Sequence, residues 1–287
     1  MSKIESNLFD FFKIGDDYPT VLMGVINLSP ESFYKSSVFE TFEEVREAAL
    51  KMISSGANII DIGARSTAPK SPDITVEEEK SRINFVLEKL FQIIPDNLIL
   101  SIDTQYTEVA KIAYKIASKF NKKMIINDVS GLNTDPNMMD FITEKNIPII
   151  LMASKNQPGD LCTMEEIIEF FKNTITHLKN IGYNQNNIIL DPGIGHWVED
   201  KIYECDLKLI SNLHKLRELQ TPILTALSRK SFIGEVLDIP DPEDRLMGSL
   251  SATAISVYNG AHIIRTHDVN KKLKDIIKMA EALRRYK

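Results

Sequence analysis

Cysteine is scarce: the 287 residues hold two, Cys162 and Cys205, neither with metal-type spacing around it. That argues against a disulfide framework and a structural zinc, and it fits a reducing compartment, so a cytoplasmic protein is expected. Uninterrupted apolar runs are short, and none approaches the roughly 18 residues of a membrane span. The opening Met-Ser-Lys-Ile-Glu-Ser-Asn carries an acid early and no apolar core, unlike a signal peptide. Positive charge is not in excess either. Against 40 acidic residues stand 34 basic ones, a net charge of −6, which gives no electrostatic reason to bind nucleic acid. Any anionic ligand therefore needs a local cationic site. No Gly-x-Gly-x-x-Gly follows the first apolar run, and Gly-x-Ser-x-Gly is absent, which speaks against a dinucleotide fold and a nucleophile elbow.

What is present is a repeating alternation. Apolar runs of strand length occur at Val21–Asn27, Asn58–Ala64, Asn97–Thr104, Lys123–Ser130, Ile147–Ala153, Asn187–Ile194, Pro222–Ser228 and His262–Asp268. They are rich in Ile, Leu and Val without polar alternation, as in strands buried on both faces of a parallel sheet. Helical segments lie between them. Thr41…Glu44, Thr75…Glu78 and Thr163…Glu166 read as capping boxes, and Asp135-Pro136 and Asp241-Pro242 as caps before a first-turn proline. Gly56, Gly182 and Gly260 sit where helix C-caps fall before the next strand. About eight such units of roughly 35 residues predict an α/β fold of the (β/α)8 TIM-barrel type, with an open doubly wound sheet as the less favoured alternative. Residues 1–20, with Phe9, Phe11 and Phe12, are expected to pack on the barrel as an N-terminal extension, leaving 21–287 as one domain.

A barrel of this kind places its site at the C-terminal strand ends. The predicted ends carry Asn27, then Ser66 and Thr67 in the second loop, Asp103, Asn127, Asp191, Lys230, and Arg265 with His267. Asp103, Asn127 and Asp191 offer acceptors for the N–H edge of a polar heterocycle. Arg265, His267, Lys230 and the hydroxyls offer donors suited to phosphate. The stretch Ser228–Gly234 concentrates two cations and two hydroxyls where a strand surfaces and a helix begins, with Ser231 at the helix start. No nucleophile–base pair is apparent, which favours displacement of a good leaving group such as diphosphate over covalent catalysis. The neutral oxygen of Asn27 suits one position of a Mg²⁺ held mainly by that diphosphate.

The same residues carry a family resemblance. Met23–Phe33, Ile60–Gly63, Ser66-Thr67, Ser101–Thr104, Ile126–Gly131, Leu190–Gly195, Ser228–Gly234 and Arg265–Val269 occur in an order and spacing that resemble dihydropteroate synthases. The resemblance runs from Val21 to about the C-terminus. It implies joining a dihydropterin-methyl diphosphate to an aromatic amine with release of diphosphate. By matching positions it implies that Asp103, Asn127, Asp191 and Lys230 hold the pterin, with Asp103, Lys230 and Asn127 as the catalytic groups. Asn27, Thr67, Arg265 and His267 would hold the diphosphate and its Mg²⁺, with Asn27 as the metal ligand. Ser231 would meet the amine's acidic end. The resemblance further implies a homodimer, for which the segments Pro242–Tyr258 and Lys271–Arg285 offer apolar faces.

Four departures concern the amine and diphosphate side. Ala64-Arg65-Ser66-Thr67-Ala68-Pro69 replaces the family's Gly-Glu-Ser-Thr-Arg-Pro, Glu31 stands for aspartate, His196 for an aromatic residue, and Ala153 for a histidine. They raise the expectation that the amine differs from p-aminobenzoate and is a ribosylated aniline phosphate, as in a methanopterin-type pathway, with Arg65, Lys70 or His196 receiving the extra phosphate; the synthase reading as a whole admits either amine. Two other functions fit a pterin-binding barrel: a methyltransferase module serving a corrinoid partner, and a non-catalytic pterin-binding paralogue.

Overall fold

The computed structural model describes residues 3–29, 38–39, 41–65, 73–195, 198 and 201–286. Eight parallel strands form the barrel: β3 (Val21–Asn27), β4 (Ile59–Gly63), β5 (Ile99–Asp103), β6 (Met124–Asp128), β7 (Ile149–Met152), β8 (Ile188–Asp191), β9 (Leu224–Thr225) and β10 (Ile263–Thr266). They pair in the order β8-β7-β6-β5-β4-β3-β10-β9, and a single parallel bridge from Leu190 to Ile223 joins β8 to the segment entering β9. Around them lie α1 (Phe42–Ser54), α2 (Val76–Ile93), α3 (Thr107–Lys119), α4 (Asn137–Lys145), α5 (Met164–Asn180), α6 (Tyr203–Ser211), α7 (Ser231–Leu237), α8 (Leu246–Tyr258) and α9 (Lys271–Arg284). This is the (β/α)8 TIM barrel that the sequence predicts. No helix among the described residues is long and apolar enough to cross a membrane.

The strands look uniformly apolar, yet they alternate between two separate cores. Val21, Met23, Ile59, Ile99, Ile125, Ile150, Ile189, Leu224 and Ile263 share the inner cluster. Their neighbours Leu22, Ile60, Leu100, Ile126, Leu151, Leu190 and Ile264 face the helices in the outer one. This period-2 split is fixed by the pleat. It decides which polar residues point into the barrel mouth: those in step with the inner cluster.

The barrel's N-terminal end is closed by an antiparallel hairpin of β1 (Glu5–Leu8) and β2 (Phe12–Gly15). Leu8 and Ile14 are fully buried and belong to the inner cluster. A second fastening is polar. Arg217 donates bidentately to Asp16 at 2.8 Å for both bonds, and Asp16 Oδ1 lies 3.3 Å from His262 Nε2. His262 Nδ1 accepts the Ile223 N–H, so the ring proton is on Nε2 and points at Asp16.

The helix starts follow the predicted chemistry with instructive exceptions. Thr41 and Thr163 form reciprocal capping boxes. Thr75 accepts the Glu78 N–H, but the Glu78 carboxylate turns to Arg82 at 2.7 Å, so the return half of that box is not made. The predicted helix from Pro242 to Tyr258 is broken. Asp241 caps one 3-10 turn, Pro242–Asp244, and α8 starts only at Leu246. Arg245 accounts for the break, because its guanidinium reaches back to the carbonyls of Ile239, Pro240 and Arg229.

Candidate active site

Four in-register residues line one rim of the barrel: Asn27 opposite Gly63, Gly63 opposite Asp103, and Asp103 opposite Asn127. Gly63 leaves room there; a Cβ at this position would meet the Asp103 Cβ at 3.4 Å. Inward parity adds Asp191 at the end of β8 and Arg265 on β10, and His267 follows Arg265 two residues later. The structure thus brings Asn27, Asp103, Asn127, Asp191, Arg265 and His267 to one end of the barrel. Thr67, Lys70 and His196, also expected at the site, lie outside the described residues, as do Ser66, Glu31 and Ala68.

At the centre is a residue the sequence reading passed over. Asp61 lies two residues below Gly63 on β4, is fully buried, and faces inward. Its Oδ2 accepts from Arg265 Nε at 2.7 Å and lies 2.6 Å from Arg265 Nη2. The same oxygen accepts from Asn127 Nδ2 at 3.2 Å. Arg265 Nη2 also donates to Asp103 Oδ2 at 3.0 Å. One guanidinium therefore bridges two carboxylates, and an amide is held by one of them. The signal was present in the sequence: an aspartate inside the run Ile59-Ile60-Asp61-Ile62 buries a charge and requires a partner.

Crowding sets the charges. Burial and the neighbouring Asp61 push the Asp103 carboxyl up to about 8, against the pull of Arg265. Burial also raises Asp191, opposed by Lys230 and by the Gly193 N–H, which donates to Asp191 Oδ1 at 2.8 Å. Lys230 is brought down to about 8, chiefly by burial, although Asp191 and Asp206 favour its charge. For Arg265 burial opposes the charge, and Asp61 and Asp103 more than compensate, so it stays cationic. His267 falls to about 3 through burial and the adjacent Arg265, Arg229 and Lys230 charges. It enters the site as a neutral imidazole, with Nδ1 3.1 Å from Ser228 Oγ.

The two cations of Ser228–Gly234 separate. Arg229 adopts a left-handed backbone (φ 58°), and its buried guanidinium clasps Asp268 through Nε at 2.8 Å and Nη2 at 2.9 Å. Its Nη1 donates to the carbonyls of Pro242 and Glu243. That turn sends Lys230 the other way, where its Nζ donates to the Ile194 carbonyl. Lys230 lies against Gly195 (φ 131°), so closely that a Cβ there would come within 2.7 Å of Lys230 Cδ. Ser231 is the first residue of α7, which has no side-chain cap.

Arg65, at the start of the second loop, donates from Nε to Glu79 Oε2 at 2.8 Å and stacks on Tyr106 at 4.9 Å. Glu79 is fully buried and also accepts the Thr104 hydroxyl at 2.6 Å, one residue beyond Asp103. Among the described residues no three His, Cys, Asp or Glu side chains converge on a metal position. Half-buried Asn27 ends β3 with a neutral amide. That donor chemistry does not make a protein cage, and it fits a Mg²⁺ that keeps waters and takes further oxygens from a polyphosphate.

The barrel and its sequence have known counterparts. A family model for pterin binding enzymes matches residues 23–267. Dihydropteroate synthase of Bacillus subtilis is 34% identical over 264 residues, covering 92% of this chain and 88% of that protein. The Synechocystis enzyme is 34% identical over 98% of this chain and 94% of its own. Among solved structures, a dihydropteroate synthase from Coxiella burnetii in complex with pteroic acid superposes with a TM-score of 0.83, at 30% identity, covering 99% and 100% of the two chains. The Xanthomonas albilineans enzyme with 4-aminobenzoic acid gives 0.81 at 29% identity, covering 98% of each. The chain therefore belongs to the pterin binding enzyme family and is a relative of the dihydropteroate synthases.

Proposed function

We propose that this protein is a dihydropteroate synthase of folate biosynthesis, a transferase that joins (7,8-dihydropterin-6-yl)methyl diphosphate to p-aminobenzoate. The bond between the pterin methylene carbon and the diphosphate oxygen breaks, the amine nitrogen bonds to that carbon, and the amine gives up a proton. The observation that carries this reading is the bridge from Arg265 to Asp61 and Asp103, beside Asn127 and opposite Asp191 and Lys230.

The pterin, in this reading, lies against Asp103, Asn127, Asp191 and Lys230. Its N–H edge donates to the carboxylates, and an Asn127 amide whose nitrogen is held by Asp61 offers its carbonyl oxygen. Lys230 donates to the pterin's acceptor atoms. As the diphosphate departs, positive charge grows on the pterin methylene, and ionised Asp103 offsets it without moving a proton. Arg265 and neutral His267 donate to the diphosphate, with Thr67 as a further hydroxyl. Asn27 would hold one position of an accompanying Mg²⁺, which would supply charge shielding to the leaving diphosphate. We assign the amine's carboxylate to Ser231, with Arg65 and His196 as further candidate donors to the amine. Arg65 meets the amine side from its ion pair with Glu79, so p-aminobenzoate, which carries no distant phosphate, is the amine we assign.

We further propose a homodimer built on the last helices. Met247 (70% exposed), Ile255 and Tyr258 on α8, and Met279 (60%) and Leu283 on α9, are large apolar side chains left open to solvent. The free thiols fit a reducing cytoplasm, where we place the enzyme. The test supplies the dihydropterin diphosphate and Mg²⁺ with p-aminobenzoate or a ribosylated aniline phosphate and measures diphosphate release. Turnover with p-aminobenzoate is expected. Turnover confined to the ribosylated amine would reassign the substrate, and pterin binding without release would remove the catalytic reading.

A further inference from the structure

The only two cysteines of the chain, 43 residues apart in sequence, meet in the structure. Cys162 precedes Thr163, the N-cap of α5, and Cys205 lies in the first turn of α6. Both are free and half-buried, and their Sγ atoms are 2.6 Å apart. That is closer than two nonbonded sulfurs ordinarily pack and near the covalent separation of about 2.05 Å.

A buried layer holds the two segments together beneath them. Lys201, fully buried, donates to the Gly159 carbonyl at 3.1 Å and the Gly193 carbonyl at 2.8 Å, and pairs with Asp206 at 3.4 Å. Asp206 in turn accepts the Gly195 N–H at 2.8 Å. Gly195 is the residue against which Lys230 rests. The β7–α5 loop, the head of α6 and the turn after β8 are thus already one unit, with the thiols on its outer side.

We propose that Cys162 and Cys205 are an oxidative modification site, closing to an intramolecular disulfide by exchange with a low-molecular-weight disulfide such as oxidised glutathione. The bond staples the β7–α5 loop to α6. Residues 162–205, which it encloses, include Asp191 and the turn that supports Lys230. In the first step the Cys205 sulfur bonds to one glutathione sulfur, the glutathione disulfide breaks, and the Cys205 proton ends on the departing glutathione thiol. In the second, Cys162 attacks the Cys205 sulfur and releases the second glutathione with the Cys162 proton. Two protein thiols are oxidised and one glutathione disulfide is reduced to two thiols. Burial and the adjacent Cys205 push the Cys162 thiol up to about 12, so its thiolate is scarce at neutral pH and the second step relies on the two sulfurs being held together.

The staple needs no rearrangement of the layer below it, and closing a loop of this length raises Tm by roughly 5–10 °C. The test incubates the full chain with oxidised glutathione, alkylates the remaining thiols, and reads intact mass, a peptide map and the melting curve before and after reduction. The expected product is about 2 Da lighter, carries no adduct, links the Cys162 and Cys205 peptides, and melts higher until reduced. Cys162→Ser is expected to stop at one glutathione adduct on Cys205, with no rise in Tm and unchanged basal activity. Two adducts on the wild type, chains linked to one another, thiols that stay fully alkylatable, or a disulfide that leaves Tm unmoved would each overturn the proposal.

Discussion

The charges at the barrel mouth predict a pH profile unlike that of ordinary side chains. An unperturbed aspartate and lysine, near 3.9 and 10.4, would leave activity flat between about pH 5 and 9. Here Asp103 is raised to about 8 by burial and Asp61, and Lys230 is lowered to about 8 by burial. In the proposed mechanism the active form has Asp103 ionised and Lys230 protonated. Its fraction gains from Asp103 as pH rises to about 8 and loses from Lys230 above it, so kcat/KM for the pterin diphosphate peaks near pH 8. With both groups at about 8 the competent fraction is about one quarter at pH 8 and about 1% at pH 6, a fall of roughly 25-fold. Because these groups interact, the two limbs belong to the site as a whole.

The assay is diphosphate release at saturating p-aminobenzoate and constant Mg²⁺, corrected for ionisation of the substrate. Two variants locate the acid limb. Asp103→Asn abolishes it along with most activity. Asp61→Asn removes a charge that raises Asp103 and moves the limb to lower pH. A wild-type profile that is flat from pH 6 to 8, or an acid limb that survives in Asp103→Asn, would refute the reasoning.

Two further outcomes follow from close contacts. Gly195→Ala places a Cβ on the Lys230 side chain at a left-handed position, so Lys230 must shift; kcat/KM for the pterin substrate is expected to fall about 10–100-fold, with the melting temperature changed far less. Loss of stability and activity in equal measure would contradict that assignment. Asp16→Asn breaks the pair with Arg217; discounted for partial exposure, the loss is about 2 kcal/mol, or a Tm drop of roughly 4–8 °C. Burial works against the Asp16 charge, but Arg217, His262 and the Ile4 N–H hold its carboxyl well below the usual range. The stabilisation is therefore full above its unfolded value of about 3.9 and is lost as pH falls from there toward the lowered folded value, so the gap between wild type and variant should narrow in melts taken from pH 6 down to 3.

Much of this molecule is written locally. Val21–Asn27 and its seven counterparts announce strands because Ile, Leu and Val in short runs suit a sheet buried on both sides, and Thr41 and Thr163 announce helix starts because their caps are made within four residues. Polar residues at strand ends made Asp103, Asn127, Asp191, Lys230 and Arg265 legible as a group. The interiors of the strands were less so. Asp61 looks like one polar residue in an apolar run until strand parity turns it inward, and its partner Arg265 is 204 residues away, brought near by the pairing of β10 with β3 and of β3 with β4.

Nor could spacing divide Arg229 from Lys230. The positive φ at Arg229 and its clasp on Asp268 send adjacent cations to different tasks. The neutrality of His267, the raised carboxyl of Asp103 and the meeting of Cys162 with Cys205 are likewise tertiary facts. Sequence alone determined the alternation of elements and the kinds of group at the barrel mouth, because those depend on neighbours within a turn or a strand. Only the closed barrel decided which groups are charged and which touch, because desolvation and long-range pairing exist only once distant segments are packed together.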